Sequence, residues 1–366
     1  DLVGEELNVP RAKTSVCIEQ IVKDLDSAGA YLPKSWGSAD KGRVTKPAAY
    51  ALKGKVLMYW ASPQFNPTND AARWERAYTA NKEAYDTCVA SSVALYSVYA
   101  NIFTVEDNSE ILIYRKHDAV SVSPGRGTNT EHITRPRSET NGISGGGSNQ
   151  PTLKLVKSYL MADGLPANPT QSSVTYKYND TLFWQNRDPR FEASISYNGG
   201  VWPLSSKAGR KQWNYTGVTD EVGGLTATGF YCKKLCSPNL AAIQTLYNSN
   251  SGGGSGMDWI EMRFAEVIMN LAECANETGR LTESKNMVRL IRQRAGIVVG
   301  GSDYGLGIAT DMASMRELIL NERMIEFAME GKRYHDLRRT RRLHLLTGSV
   351  RKGLRWVPKA PNTVAT

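Results

Sequence analysis

Apolar side chains recur at the spacing of an α-helix in two separate stretches, and this pattern constrains the fold more than any other feature. The first stretch begins at Pro47, a favourable residue in a first helical turn because no backbone N–H is needed there. Its apolar face is formed by Ala48, Leu52, Val56, Tyr59 and Trp60. After the prolines at positions 63 and 67, a second face carries Trp74, Ala77, Tyr78, Tyr85 and Cys88. The two faces predict an αα-hairpin of TPR size at about 47–91.

The second stretch, at about 259–342, predicts further helices of the same kind. Its clearest stripe ends at Gly279, a residue that suits the left-handed position after a helix. That stripe consists of Phe264, Val267, Ile268, Leu271 and Ala275. We also expect Trp60, Trp74 and Trp259 to lie on helical stripes in the core. The predicted fold class is therefore mainly α, with a TPR-like paired-helix scaffold.

The composition changes between the two stretches. Residues 120–150 are rich in Ser, Gly, Thr and Asn, and residues 165–240 place aromatic side chains among polar ones with little helical periodicity. Residues 248–256 are typical of a flexible connector. We expect a large irregular region at about 120–256, with a few short strands, packed against the helices. Because the helix pairs should stack on each other, the chain 1–366 is predicted to be one domain.

Charge and cysteine patterns argue against several classes of function. The net charge is +9, but the excess is diffuse outside the basic C-terminal part, so nucleic-acid binding is not expected. Cys232 and Cys236 lack the second pair or nearby His that a zinc site needs, and a disulfide between them stays an open alternative. The triple glycine at 145–147 is not followed by Lys-Ser/Thr, which argues against a nucleotide. No cofactor or metal is expected.

Two carboxylates raise the question of catalysis. Glu322 and Glu326 are four residues apart on one predicted helix, so they could approach each other as a glycosidase requires. Arg323 and Arg333 are close in sequence, and a neighbouring helix carries further glutamates. Ion pairs that hold helices together explain this pattern better, so we expect no enzymatic activity.

A binding site for sugars agrees better with the loops. Sugar rings present C–H faces that stack on aromatic side chains, and their hydroxyls need amide or charged partners. The alternative is that these aromatic rings pack the loops onto the helices. The candidate ligand-binding residues are Trp184, Tyr197, Asn198, Trp202, Trp213, Asn214 and Tyr215, with Trp36 as a further candidate in the loop 33–37.

Several motifs, in order along most of the chain, resemble the SusD/RagB family. The resemblance to its first TPR-like helix is carried by Lys41-Gly42-Arg43-Val44-Thr45-Lys46-Pro47-Ala48-Ala49. The most recognisable helix is matched by Arg263-Phe264-Ala265-Glu266-Val267. The other motifs are Ala61-Ser62-Pro63-Gln64-Phe65-Asn66, Met161-Ala162-Asp163-Gly164, Asn186-Arg187-Asp188-Pro189-Arg190-Phe191, Ile291-Arg292-Gln293-Arg294-Ala295-Gly296 and Glu330-Gly331-Lys332-Arg333-Tyr334.

The resemblance implies a nutrient-binding lipoprotein on the extracellular face of an outer membrane. Such a protein captures an oligosaccharide and delivers it to a SusC-like TonB-dependent transporter, for which it acts as a lid. Alternatives are a peptide-binding, RagB-like importer subunit and a TPR-type scaffold that binds only proteins. Full-length members begin with a lipoprotein signal and a lipidated cysteine. The chain is therefore expected to be a fragment that lacks this anchor and the extreme C-terminus, the anchor being its only membrane association.

Overall fold

The computed structural model describes residues 10–118, 127–140, 146–215, 226–248, 252–347 and 351–357. Of the predicted irregular region, residues 120–126, 141–145, 216–225 and 249–251 lie outside the described residues, and the last of these ranges belongs to the predicted connector.

Helices account for most of the regular structure in the described ranges. None of these helices is long and apolar enough to cross a bilayer. In chain order they are α1 (Thr14–Tyr31), α2 (Lys46–Ala61), α3 (Ala71–Ala90), α4 (Thr130–Thr134), α5 (Leu153–Ser158), α6 (Pro189–Ser194), α7 (Phe264–Glu277), α8 (Leu281–Arg294), α9 (Met312–Glu326) and α10 (Lys332–Arg339).

Helices α2 and α3 form the predicted hairpin at 47–91. The apolar face predicted for α2 is wrong, because Leu52 is exposed and Val56, Tyr59 and Trp60 are half-buried; small residues, together with Leu57 and Met58, form the buried face. Pro47 lies in the first turn of α2, and the Asp70 carboxylate caps α3 by accepting the N–H of Ala72 at 2.9 Å. The two helices approach closely because small residues line their interface. At the closest point, Asn81 Nδ2 donates to the carbonyl of Gly54 at 2.9 Å. The buried small residues include Ala48, Ala51, Gly54, Ala77 and Ala84.

Helix α7 lies at the centre of the scaffold. It is buried continuously from Phe264 to Asn276, and it packs against α2, α3, α8 and α9. Gly279 follows it with a φ of +77°, as its place after the stripe predicts. The N-terminal and C-terminal helix pairs thus stack on each other. Cys88 on α3 and Cys274 on α7 are buried in the clusters that these helices share.

A strand precedes α7, and here the prediction of a helix from Trp259 is wrong. Residues Trp259–Arg263 form β8, which pairs antiparallel with β1 (Ile111–Arg115). Ile260 and Met262 are buried while Glu261 between them is exposed, which is the alternation of a strand. Trp259 is half-buried on this strand. Of the other two predicted core tryptophans, Trp74 is buried, and Trp60 is half-buried with the Arg73 guanidinium over its ring.

The predicted irregular region consists, where it is described, of turns, short helices and two-residue strands. Four short antiparallel pairings occur among the described strands, one of them the β1–β8 pair. Together with the paired helices, this confirms the predicted fold class. The remaining strands are β2 (Ile195–Ser196), β3 (Gly200–Val201), β4 (Lys211–Gln212), β5 (Tyr231–Cys232), β6 (Tyr247–Asn248) and β7 (Gly252–Gly253).

A cluster of buried charges joins the irregular region to the helices. Arg190, on α6, forms ion pairs with Glu322 at 2.7 Å and with Glu326 at 2.8 Å, both on α9. Arg263, at the end of β8, reaches Glu326 at 2.7 Å. We call this set the buried ion cluster. Its members are Glu110, Asp188, Arg190, Lys234, Arg263, Arg292, Arg294, Glu322, Glu326 and Glu330.

Candidate ligand-binding site

Two pairs of aromatic rings border a tight turn in the irregular region. The Trp184 ring stacks on Tyr197, with centroids 5.5 Å apart and an interplanar angle of 16°. Trp213 and Tyr215 meet edge to face at 6.0 Å. All four side chains are half-buried, so each ring keeps some surface toward solvent. We call them the aromatic pairs, and the turn between them, Gly199–Gly200, the glycine turn.

The glycine turn lets both pairs lie against the backbone. Gly199 has a φ of +77°, which favours glycine, and a Cβ on it would come within 3.4 Å of the Trp213 ring. A Cβ on Gly200 would come within 3.2 Å of the Tyr197 ring. Strand β3 follows Tyr197 and strand β4 precedes Trp213. The two strands form a hairpin in which Gly200 pairs with Gln212. The local sequence therefore brings rings from 197 and 213 to one turn.

The two predicted asparagines hold this arrangement together. Asn198 Oδ1 accepts the backbone N–H of Asn214 at 2.8 Å, across the hairpin. Asn214 Nδ2 donates to the Gly229 carbonyl at 3.0 Å. Asn214 is only 3% exposed, whereas Asn198 is half-buried. Asn214 therefore supports the site from behind, and Asn198 has an edge that a ligand could reach.

Trp202 lies in the interior. It is 3% exposed and packs in a small cluster with Leu204, Tyr231 and Cys236. Its backbone N–H donates to the Arg210 carbonyl at 2.8 Å, which closes the hairpin. In this conformation a ligand cannot stack on the Trp202 ring. Trp202 therefore packs the loops together, which is the alternative to ligand binding that the sequence left open.

The C-terminal segment supports the aromatic pairs. Tyr215 forms a parallel bridge with Trp356, whose Nε1 donates to the Gly229 carbonyl at 3.2 Å. The Trp356 ring is 6.2 Å from that of Phe183, which in turn meets Trp184 edge to face at 5.2 Å. The irregular region and the end of the described chain thus share one aromatic core.

Tyr197 has a polar neighbour as well as the stacked ring. Burial, together with the carboxylate of Glu192, raises the pKa of the Tyr197 hydroxyl, so it stays neutral at physiological pH. Glu192 is itself paired with Lys233. The site therefore presents ring faces, hydroxyls and an amide rather than an ionisable nucleophile.

Trp36 belongs to a different place. It lines a cavity of about 230 Å³ between the loop before α2, the turn after α3 and strand β1. Its Nε1 donates to the Val44 carbonyl at 2.9 Å, and the ring is half-buried. Sequence reasoning did not find the cavity partners Lys41, Asp107 and Tyr114. Lys41 lies in the motif 41–49 that carries the family resemblance, and no short-range sequence pattern links it to Asp107 or Tyr114.

The carboxylates of Glu322 and Glu326 form ion pairs with arginines. Burial alone would raise the pKa of Glu326, but Arg294, Arg263 and Arg190 together hold that pKa well below its ordinary value. Burial is likewise outweighed at Glu322, whose pKa is lowered by Arg190 and Arg292. Both carboxylates are held in buried ion pairs, as the sequence predicts, but with arginines other than the sequence neighbours. Arg323 pairs with Asp336 instead, and Arg333 donates to the Leu320 carbonyl at 3.2 Å. Among the described residues, no cluster of three or more His, Cys, Asp or Glu could hold a metal ion.

Comparison with known proteins gives a consistent result. The model of the SusD family matches residues 109–355. SusD-like protein P2 of Formosa agariphila is 37% identical over 93 residues, which are 25% of this chain and 18% of that protein. A SusD-like protein from Bacteroides fragilis superposes with a TM-score of 0.69 and 28% identity, covering 93% of this chain and 63% of its own.

A second solved structure from Bacteroides fragilis, described as a SusD-like carbohydrate-binding protein, gives a TM-score of 0.67 at 23% identity. The superposition covers 92% of this chain and 61% of that protein. The chain thus spans less than two thirds of the length of these relatives. The match over residues 109–355 covers most of the chain, and the shared fold extends beyond it; the chain belongs to the SusD family.

Proposed function

We propose that the protein captures an oligosaccharide at the cell surface through the aromatic pairs. The observation that carries this proposal is a set of four half-buried rings, of which Tyr197 and Trp213 lie against the glycine turn, beside Asn198. Ring faces of this kind stack on the C–H faces of sugars, and amides pair with hydroxyls. A solved relative described as carbohydrate-binding has the same fold. The ligand is bound and released without any bond being broken.

The proposal extends to location and partner. We place the protein on the extracellular face of an outer membrane, held by a lipid anchor outside this chain. There it would act as the lid of a SusC-like TonB-dependent transporter and deliver the sugar to it. Binding of a peptide in the manner of RagB, or of a protein alone, is the competing function. Co-purification of a large β-barrel protein with the full-length lipoprotein tests the partnership.

Calorimetry on the chain 1–366 tests the capture step with a panel of neutral oligosaccharides. We expect Trp184→Ala and Trp213→Ala each to weaken binding about tenfold, since each removes a ring face worth on the order of 1 kcal/mol or more. The matched control is Trp60→Ala, because Trp60 is a half-buried tryptophan on the helices. Unchanged affinity in both loop variants, or binding of peptides and of no glycan, would count against the proposal. A reducing-sugar assay on the bound glycan should stay at background.

A further inference from the structure

The cavity beside Trp36 is formed by segments of the chain that are distant in sequence. Its walls come from the loop at 34–45, the first turn of α2, the turn after α3, the segment 107–109 and β1. At about 230 Å³ it is smaller than most ligand sites, which measure roughly 300–1,000 Å³, so it suits one sugar unit rather than a chain. It is formed by none of the residues of the aromatic pairs.

Positive charge predominates around this cavity. Its lining contains three cations, Lys34, Lys41 and Arg43, and a single carboxylate, Asp107. Lys41 Nζ is 3.0 Å from Asp107 Oδ2, and the Lys41 side chain is 45% exposed. Arg43 Nε is 3.1 Å from Oδ1 of Asp40, a carboxylate beside the lining, and the Arg43 side chain is 66% exposed. These ion pairs are therefore largely solvated, and an anionic ligand can exchange into them at little cost.

The carboxylate in the cavity is charged. Burial would raise the pKa of Asp107, but hydrogen bonds from Lys41 and Tyr114 lower it overall. Tyr114 donates to Asp107 Oδ1 at 3.0 Å. Asp107 and Asp40 therefore offset two of the three cations, Lys41 and Arg43, and an excess of one positive charge remains.

A further feature suits a sugar ligand. The Trp36 ring is held by its bond to the Val44 carbonyl, and the Arg43 guanidinium lies 5.6 Å from the ring centroid.

We propose that this cavity binds a sugar unit that carries an anionic group, either a carboxylate or a sulfate ester. The ring of the sugar lies on Trp36, and the anion lies among Lys34, Lys41 and Arg43. The inference rests on the proposed function, since it makes the cavity a second contact point for the captured glycan. It narrows the ligand to an acidic polysaccharide.

Matched oligosaccharides test the inference. Calorimetry at low ionic strength would compare an oligogalacturonate with its methyl ester, and a sulfated galactan oligosaccharide with its desulfated form. We expect one charged member to bind at least about tenfold tighter than its uncharged counterpart, the gain of about one charge-assisted hydrogen bond. Added salt should reduce the preference. Whichever comparison shows the preference, galacturonate or sulfated galactan, identifies the anionic group as a carboxylate or a sulfate ester.

Two variants with opposite effects separate recognition from folding. Lys41→Ala/Arg43→Ala should abolish the preference for the charged sugar. Asp107→Asn should strengthen it, because it removes the opposing charge and keeps an oxygen for Tyr114; a purely structural role for these residues would not tighten binding. The control Lys13→Ala/Lys23→Ala removes the same charge from exposed positions on or beside α1 and should change nothing.

The two proposals fail in different ways. The second site is overturned, and the proposed function left intact, if neutral glycans bind through the aromatic pairs and neither set of matched oligosaccharides shows a preference for the charged member. A preference for the charged member that survives Lys41→Ala/Arg43→Ala has the same meaning. A folded protein that binds neither neutral nor charged glycans overturns both.

Discussion

Arg263 makes more contacts with buried carboxylates than a single ion pair would need. Its guanidinium donates to Glu110 at 2.6 Å, to Glu326 at 2.7 Å and to Glu330 at 2.7 and 2.9 Å. All of these groups are at most 3% exposed. The side chain therefore joins three carboxylates within a buried cluster whose cations and carboxylates balance, and its removal leaves one uncompensated negative charge with no solvent to screen it.

We predict that Arg263→Met lowers the free energy of unfolding by about 3–5 kcal/mol, because breaking a buried pair leaves its partners uncompensated. The matched control is Arg280→Met. Arg280 makes a two-pronged contact with Glu75 at 3.0 Å, but both side chains are exposed, so its loss should cost less than about 1 kcal/mol. Urea unfolding followed by circular dichroism measures both. Equal losses in the two variants would contradict the argument.

At the residue scale, the sequence indicated the role of Glu322 and Glu326 but not their partners. Four-residue spacing and nearby arginines were enough to predict ion pairing. The main partner of Glu326 from the irregular region is Arg190, which lies 136 positions away along the chain. A single sequence contains no signal for a contact of that range. The position of Trp202 was missed for a similar reason, since an aromatic residue among polar ones is equally compatible with burial and exposure.

At the scale of elements, the contact between α2 and α3 depends on the absence of a side chain. A Cβ on Gly54 would lie 2.6 Å from Asn81 Oδ1 and 3.3 Å from Asn81 Cα. The amide of Asn81 donates to the Gly54 carbonyl, so it cannot turn away without losing a buried hydrogen bond. The helices therefore could not keep their present separation with a larger residue at this position.

We predict that Gly54→Ala destabilises the protein by about 1–2 kcal/mol. Overpacking costs about 1–3 kcal/mol, and the better helix propensity of alanine returns up to about 1 kcal/mol. Gly37→Ala is the control, since a Cβ there meets nothing within 4 Å and its φ of −65° is ordinary. Thermal unfolding should show a lower Tm for Gly54→Ala alone. An increase in Tm would mean that propensity outweighs packing.

Helical periodicity predicted which stretches contain helices better than it predicted where each helix begins and ends. The hairpin at 47–91 and the helix after Phe264 agree with the structure as elements. The apolar stripe of α7 is buried against several neighbours, whereas the stripe predicted for α2 is not its buried face. The start at Trp259 was wrong, since a five-residue strand is too short for its alternation to stand out beside a strong helical stripe. Helix α9 ends at Glu326. Met329 has a φ of +64°, outside the helical region.

At the scale of the whole molecule, the helices could be predicted and the site could not be fully predicted. Periodicity is a local property, so it appears in one sequence. The aromatic pairs depend on the glycine turn and on Trp356, which a short-range pattern does not connect. Of the predicted ligand-binding residues, the structure brings together Trp184, Tyr197, Asn198, Trp213, Asn214 and Tyr215. It buries Trp202 and places Trp36 at a separate cavity.

The cysteines report on the packing of the molecule as a whole. All five are free thiols, and Cys17 on α1 is the exposed one. The other four are buried in different clusters: Cys88, Cys232, Cys236 and Cys274. Burial raises the pKa of the Cys88 thiol to about 12, and it also raises those of the other three. Since the thiolate is the reactive form, these four should be inert while the core stays closed.

We therefore predict that a maleimide reagent modifies one thiol per chain in the native protein and five in denaturant. Mass spectrometry counts the additions, and Cys17→Ser should abolish the native one. Pretreatment with a reductant should change neither number, because no disulfide needs to be opened. Three additions in denaturant that rise to five after reduction would instead show a disulfide, for which Cys232 and Cys236 are the nearest pair in sequence. Several native additions would mean that one or more of these buried clusters open on the timescale of labelling.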